Sequence, residues 1–224
     1  MLQRYAQVFD AVEVNATFYR TPRAATFQRW AESVPDGFRF SLKLPRTLTH
    51  YARLREPEAG LDAFLARAAP LGEKLGAVLA QLPPTLALDP DTAERFFAAL
   101  RARVGRGVLV ACEPRHASWS GRSLVALLQR HRVTRVAADP PRFDADALPA
   151  GARPAYWRWH GSPRLYYDAY DDARLATLAE ALRADPDGWA IFDNTAHGHA
   201  AHDALRLRAM LGPTVAARPG GNAA

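Results

Sequence analysis

Two glutamates, two histidines and two arginines carry the chemistry that this sequence can do. Glu13 lies in VEVNATFYRTP (12–22), a charged group in what reads as a buried strand. An unpaired charge there costs several kcal/mol, so something must offset it. Glu113 and Arg115 share CEPRHASW (112–119), His50 closes FRFSLKLPRTLTH (38–50), and Arg158 and His160 share YWRWHG (156–161). Glu13 and Glu113 can act as general acid, general base or nucleophile if their surroundings push their pKa values apart. Their strands fall three apart in chain order, which predicts carboxylates facing each other across a pocket, as glycoside hydrolysis requires. Arg115 and Arg158 offer bidentate forks for a carboxylate or a phosphate. His50 and His160 are suited to moving a proton. The competing reading is a buried network in which arginine and glutamate satisfy each other.

Lys43 stands out by type. The chain has 29 basic residues, and the only lysines are Lys43 and Lys74. At a strand end, a compact ammonium whose pKa can be tuned does what arginine cannot. Aromatic residues crowd the same ends: Phe18, Tyr19, Trp119, Trp157, Trp159, Tyr166, Tyr167 and Tyr170. Those just beyond a strand could form a stacking wall for a sugar or a base.

The elements that must position these residues alternate. Short β-rich runs occur at 11–17, 38–44, 75–82, 107–113, 134–139, 155–160 and 188–194. Helical periodicity fills AATFQRWAESV, PDTAERFFAALRARV with its Asp89-Pro90-Asp91 start, SLVALLQRHR, ARLATLAEALRA and HAAHDALRLRAML. This alternation predicts βαβ units and a parallel sheet. Each run is apolar at its start and polar at its end: Glu13 and Asn15, Lys43, Gln81, Glu113 and Arg115, Asp139, Arg158 and His160, Asp193 and Asn194. Polar ends on all seven strands favour a TIM-type (β/α) barrel over a doubly wound sheet. Seven strands are readable where a full barrel has eight: the first strand is expected upstream of Leu2, or the barrel is open there, or PTVAAR (213–218) fills the gap. The expected organisation is one barrel domain over 1–212 with a flexible tail over 213–224.

Known motifs exclude several chemistries. Neither a phosphate-cradling glycine loop, a GxSxG elbow nor an HExxH motif occurs. HGHAAH (197–202) cannot turn His197, His199 and His202 to one metal on a regular helix. No metal and no cofactor are expected. A single cysteine, Cys112, leaves no intrachain disulfide framework. The opening residues read as an amphipathic helix carrying Leu2, Tyr5, Val8 and Phe9, and no run is long enough to span a membrane. A soluble, cytoplasmic protein without a membrane partner is expected. The net charge of +6 permits an anionic partner, but the basic residues are dispersed along the chain.

The motifs VEVNATFYRTP, FRFSLKLPRTLTH, LGAVLAQLPP, CEPRHASW, YWRWHG followed by YYDAY, and WAIFDNTAHGHAAHDA occur in that order. Together they resemble the YecE-like family, domain of unknown function 72, over about residues 2 to 212. The resemblance implies a TIM-barrel fold with a pocket at the strand ends. Residues that match its motifs include Glu13, Asn15, Phe18, Tyr19, Lys43, Thr49, His50, Gln81 and Pro83. In the second half they include Glu113, Arg115, Trp119, Asp139, Arg158, His160, Gly161, Tyr170 and Asn194. Family members begin with a strand and a Gly-Trp segment that this chain lacks.

The expected function is therefore an enzyme of the phosphate-ester or glycoside hydrolysis class acting on a small anionic ligand. Glu13 or Glu113 is the expected acid or base, and His50 or His160 the proton shuttle. Asn15, Tyr19, Lys43, Gln81, Arg115, Trp119, Asp139, Arg158, Tyr170 and Asn194 are the expected ligand contacts. The alternatives are a non-catalytic nucleic-acid-binding module using the same basic, aromatic groove, and a degenerate structural barrel.

Overall fold

The computed structural model describes residues 1–141 and 155–212. The chain divides into two compact units, Met1–Thr134 and Arg135–Ala224. The expected strand PTVAAR, the tail and most of the Pro-rich loop after Asp139 lie outside the described residues.

The first unit alternates helices α1 (Leu2–Tyr5), α2 (Ala16–Tyr19), α3 (Ala24–Glu32), α4 (Glu58–Ala68), α5 (Pro90–Arg103) and α6 (Arg122–Arg130) with strands β1 (Ala11–Val14), β2 (Arg39–Lys43), β3 (Leu75–Gln81) and β4 (Leu109–Glu113). The second carries β5 (Val133–Asp139, from Arg135 on), β6 (Tyr156–Trp159), α7 (Asp172–Ala184), β7 (Trp189–Phe192) and α8 (His199–Leu211). Within each unit the strands pair in parallel and in chain order. Parallel strands alternating with helices are the TIM-type (β/α) barrel class that the strand-end pattern predicts.

Side-chain alternation decides what each strand face does. Val12 and Val14, Phe40 and Leu42, Val78 and Ala80, and Val110 and Cys112 pack into one apolar core with α3, α4 and α5. Phe27, Leu61, Phe96, Phe97 and Leu100 are fully buried there. Each such side chain contributes about 1.5–3 kcal/mol. The intervening residues Glu13, Lys43, Gln81 and Glu113 therefore share the opposite sheet face. Helix α5 starts as Asp89-Pro90-Asp91 foretells: the Asp89 carboxylate accepts from the N–H groups of Asp91 and Thr92 at 3.2 and 3.4 Å.

Four local features differ from the sequence reading. The strand expected over 11–17 ends at Val14, and Asn15 is already helical. Thr17 Oγ1 contacts Val14 O at 2.8 Å and Lys43 O at 2.7 Å, so a short side chain competes with the ladder and ties two strand ends together. The opening helix closes at Tyr5, and Val8 is exposed. Helix α4 has no counterpart in the predicted elements because Gly60 interrupts a good helical pattern. A Cβ there would stand 2.6 Å from Leu48 Cδ2, so a larger residue would have to move the Leu48 side chain. Leu48 belongs to the fourth feature, a π-helical turn over Thr47–Tyr51.

Candidate functional site

The first unit gathers its polar residues beyond the ends of β1 to β4. Glu113, 1% exposed, is held on both oxygens. Its Oε1 accepts from Arg115 Nε and Nη2, each at 3.0 Å, and its Oε2 accepts from Gln81 Nε2 at 2.9 Å. Gln81 and Glu113 sit side by side in register, which is why they meet. Arg115 is thereby fixed by two of its nitrogens. Its Nη1 has no hydrogen-bond partner among the described residues.

Lys43 is buried with its Nζ 4.4 Å from the Phe18 ring centroid, and the same ring meets His50 edge-on at 4.8 Å. His50 Nδ1 lies 2.9 Å from Thr49 Oγ1. When Nδ1–H donates to that hydroxyl, Nε2 carries the lone pair of a general base. Burial holds the His50 imidazole below its usual range, and the nearby charges of Lys43, Arg115 and Arg46 push it the same way. A neutral histidine among three cations can accept a proton while the cations attract an anion.

Arg46 extends this group outward. Its guanidinium lies 5.7 Å from the Tyr19 ring centroid and 5.3 Å from that of Tyr51. Both tyrosines are exposed, at 69% and 65%. The π turn makes the second contact: Ala52 N–H bonds Thr47 O at 2.9 Å, an i to i+5 closure that turns Arg46 and Tyr51 to one side. Neither Arg46 nor Tyr51 stands out in the sequence; the i, i+5 spacing carries a signal only once a π turn is known.

Glu13 and Glu113 lie on the same face of the sheet, on strands three apart. Glu13 pairs level with Ser41, which pairs with Ala77, which pairs with Leu109. Glu113 is four residues further along in register. Glu13 is half-buried and has bonding or electrostatic partners of its own. Asn15, half-buried at the start of α2, follows β1 in the same unit.

Trp119 is not a wall residue. It is 1% exposed, packs in the core of the first unit, and donates Nε1–H to Leu86 O at 2.8 Å. Core volume and a satisfied indole explain its place.

The second unit holds a different arrangement. Arg158 and His160 are both fully buried, and Arg158 Nη2 and His160 Nδ1 approach the same oxygen, Asp193 Oδ2, at 3.1 and 3.2 Å. Asp139 Oδ1 accepts from Tyr170 Oη at 3.0 Å, and its Oδ2 accepts from Arg174. Tyr170 is 2% exposed; burial, with the charge of Asp139, raises its phenol far above the ordinary range. Asn194 Nδ2 donates to Asp168 O at 3.0 Å and to Asp203 Oδ2 at 2.8 Å. Asp203, fully buried on α8, also accepts from Tyr170 N–H at 3.1 Å and Arg206 Nη1 at 3.0 Å. Gly161 is required here: its φ is +94°, and a Cβ would stand 2.9 Å from Asp168 O. Trp157 and Trp159 pack in the core of this unit, while Tyr166 meets His160 edge-on. Asp203 and Arg174 were missed by sequence reasoning because helix carboxylates and arginines default to solvent.

Among the described residues no cluster of three or more His, Cys, Asp and Glu could hold a metal, and no helix is long and apolar enough to cross a membrane. His197 packs edge-on against Tyr167, and His199 opens α8.

Known proteins share both pattern and fold. UPF0759 protein YecE of Escherichia coli K12 is 40% identical over 84 residues, 38% of this chain and 31% of YecE. UPF0759 protein YunF of Bacillus subtilis 168 is 34% identical over 89 residues, 37% of this chain and 32% of YunF. The matched stretches thus span about a third of these curated relatives. A crystal structure of a DUF72 family protein from Enterococcus faecalis V583 superposes with a TM-score of 0.78 at 23% identity, covering 94% of this chain and 88% of that one. One from Thermotoga maritima MSB8 gives 0.76 at 28% identity, with coverage of 94% and 88%. The family described as "Protein of unknown function DUF72" matches residues 1–223, and the chain belongs to it.

Proposed function

We propose that the strand-end site of the first unit binds a small anionic ligand and hydrolyses it as a phosphate ester. The observation that supports this reading is a neutral His50 grouped electrostatically with Lys43, Arg115 and Arg46. Lys43 and the Nη1 of Arg115 clamp the phosphoryl oxygens, and Glu113 with Gln81 holds Arg115 in place. His50 Nε2 takes the proton of an attacking water. The new P–O bond forms as the ester P–O bond breaks, the leaving oxygen takes a proton from solvent and departs as the alcohol, and His50 then returns its proton to solvent. The glycoside alternative requires carboxylates roughly 5–9.5 Å apart, and p-nitrophenyl glycosides in the same assay decide between the two.

The test is turnover of p-nitrophenyl phosphate, bis(p-nitrophenyl) phosphate and a set of p-nitrophenyl glycosides. Ester hydrolysis should fall by about 100-fold or more in His50→Gln and be lost in Arg115→Met, with glycosides untouched. Turnover indifferent to His50→Gln would overturn the reading. A second reading rests on exposed Tyr19 and Tyr51 around Arg46, a stacking surface for a base without catalysis. Oligonucleotide binding that falls steeply with salt, with no ester turnover, would establish it.

A further inference from the structure

A second cationic feature of the first unit lies outside the strand-end group. Arg20, Arg23 and Arg67 line a cleft of about 460 Å³ together with Thr21, Pro22 and Thr26. Its volume is that of a small-molecule site. Among the described residues none of the three arginines is ion-paired to a carboxylate. The contrast with the rest of this unit is plain, since Arg103, Arg115 and Arg130 each pair with an acid. Nor does the first turn of α3, which borders the cleft, supply an acidic residue. One arginine is anchored: Arg67 Nη1 donates to Thr21 O at 3.3 Å, holding its guanidinium over the loop that carries the other two. Three like charges around one hollow repel one another unless an anion joins them.

We propose that this cleft is a binding site for a chain of two or three phosphoryl groups. The match is one of charge and shape. Pyrophosphate and triphosphate carry several negative charges at neutral pH, and arginine forks grip phosphate oxygens in pairs. A single orthophosphate would satisfy fewer of the three guanidinium groups. The site stands independently of the hydrolytic reading, since it uses none of the same residues.

Isothermal titration of the full chain with sodium tripolyphosphate, pyrophosphate and orthophosphate tests it, at physiological ionic strength. Tripolyphosphate should bind saturably, and tighter than orthophosphate by at least about tenfold. Arg23→Ala and Arg67→Ala should each weaken it by roughly tenfold, while Arg130→Ala, on the exposed face of α6 and paired with Glu94, leaves it unchanged. All three arginines are exposed, so circular dichroism of the variants should match the parent. Equal affinity for adenosine triphosphate and tripolyphosphate would show that only the phosphate chain is read; tighter nucleotide binding would name a nucleotide as the source. Loss of binding in Lys43→Ala with none in the arginine variants would assign the anion to the strand-end site and overturn the proposal. So would the absence of saturable binding in the parent.

Discussion

The two units use the same kind of strand end in opposite ways. Beyond β1 to β4, Glu113 and Gln81 fix an arginine that keeps one nitrogen for something else, and His50 keeps Nε2. Exposed tyrosines border the group. Beyond β5 to β7, Asp139 bonds Tyr170 and Arg174, Asp193 bonds Arg158 and His160, and Asn194 bonds Asp203. Arg158, His160, Asn194 and Asp203 are fully buried. Polar residues at equivalent strand ends therefore build different networks in the two units. What separates them is the partners: a cation-rich group with exposed tyrosines at its border in the first unit, and a carboxylate-centred network in the second.

The sharpest way to break this contrast is Asp203→Ala. The carboxylate gathers N–H groups from Tyr170, Asn194 and Arg206. Its removal strands buried donors and should cost about 3–5 kcal/mol, seen as a melting temperature lower by roughly 10 °C. Tripolyphosphate binding measured below the new melting point should not change. An unaltered melting temperature would remove the structural reading of the second cluster. Glu113→Gln should do the reverse: a smaller stability loss of about 1–3 kcal/mol, because Arg115 reaches solvent, with a large loss of ester turnover because Arg115 is no longer held. Turnover intact in Glu113→Gln would show that Arg115 needs no such positioning.

Much of the fold was legible because period and polarity agree. All seven strands lie where apolar runs end in polar residues, and Asp89-Pro90-Asp91 marks α5 through capping physics alone. Local competition hid the rest. Thr17 ends β1 early, Gly60 masks α4, and the π turn over Thr47–Tyr51 breaks the 3.6-residue period that pattern reading depends on. Of the candidate site, Lys43, His50, Gln81, Glu113 and Arg115 were readable as strand-end residues, and the structure groups them. Trp119 and Tyr170 were not separable from pocket residues, because an aromatic's burial depends on packing across elements that sequence spacing does not carry.

The gentlest test concerns His50 alone. Its folded pKa is lowered from 6.5. Between that lowered value and 6.5 the unfolded chain binds more protons than the folded one, so stability rises with pH across this window. The contribution is fully present above pH 6.5 and is lost as pH falls through the folded value. His50→Gln should flatten that part of the stability profile while leaving the slope above it alone. Lys43→Met should narrow the window, because after burial Lys43 is the charge that lowers the ring most. The His50 Cε1 proton, followed by NMR through a pH titration, reports this directly: its midpoint should move upward in Lys43→Met. No movement would detach the lysine from the histidine, and with it the idea that the first unit's cations keep its base neutral.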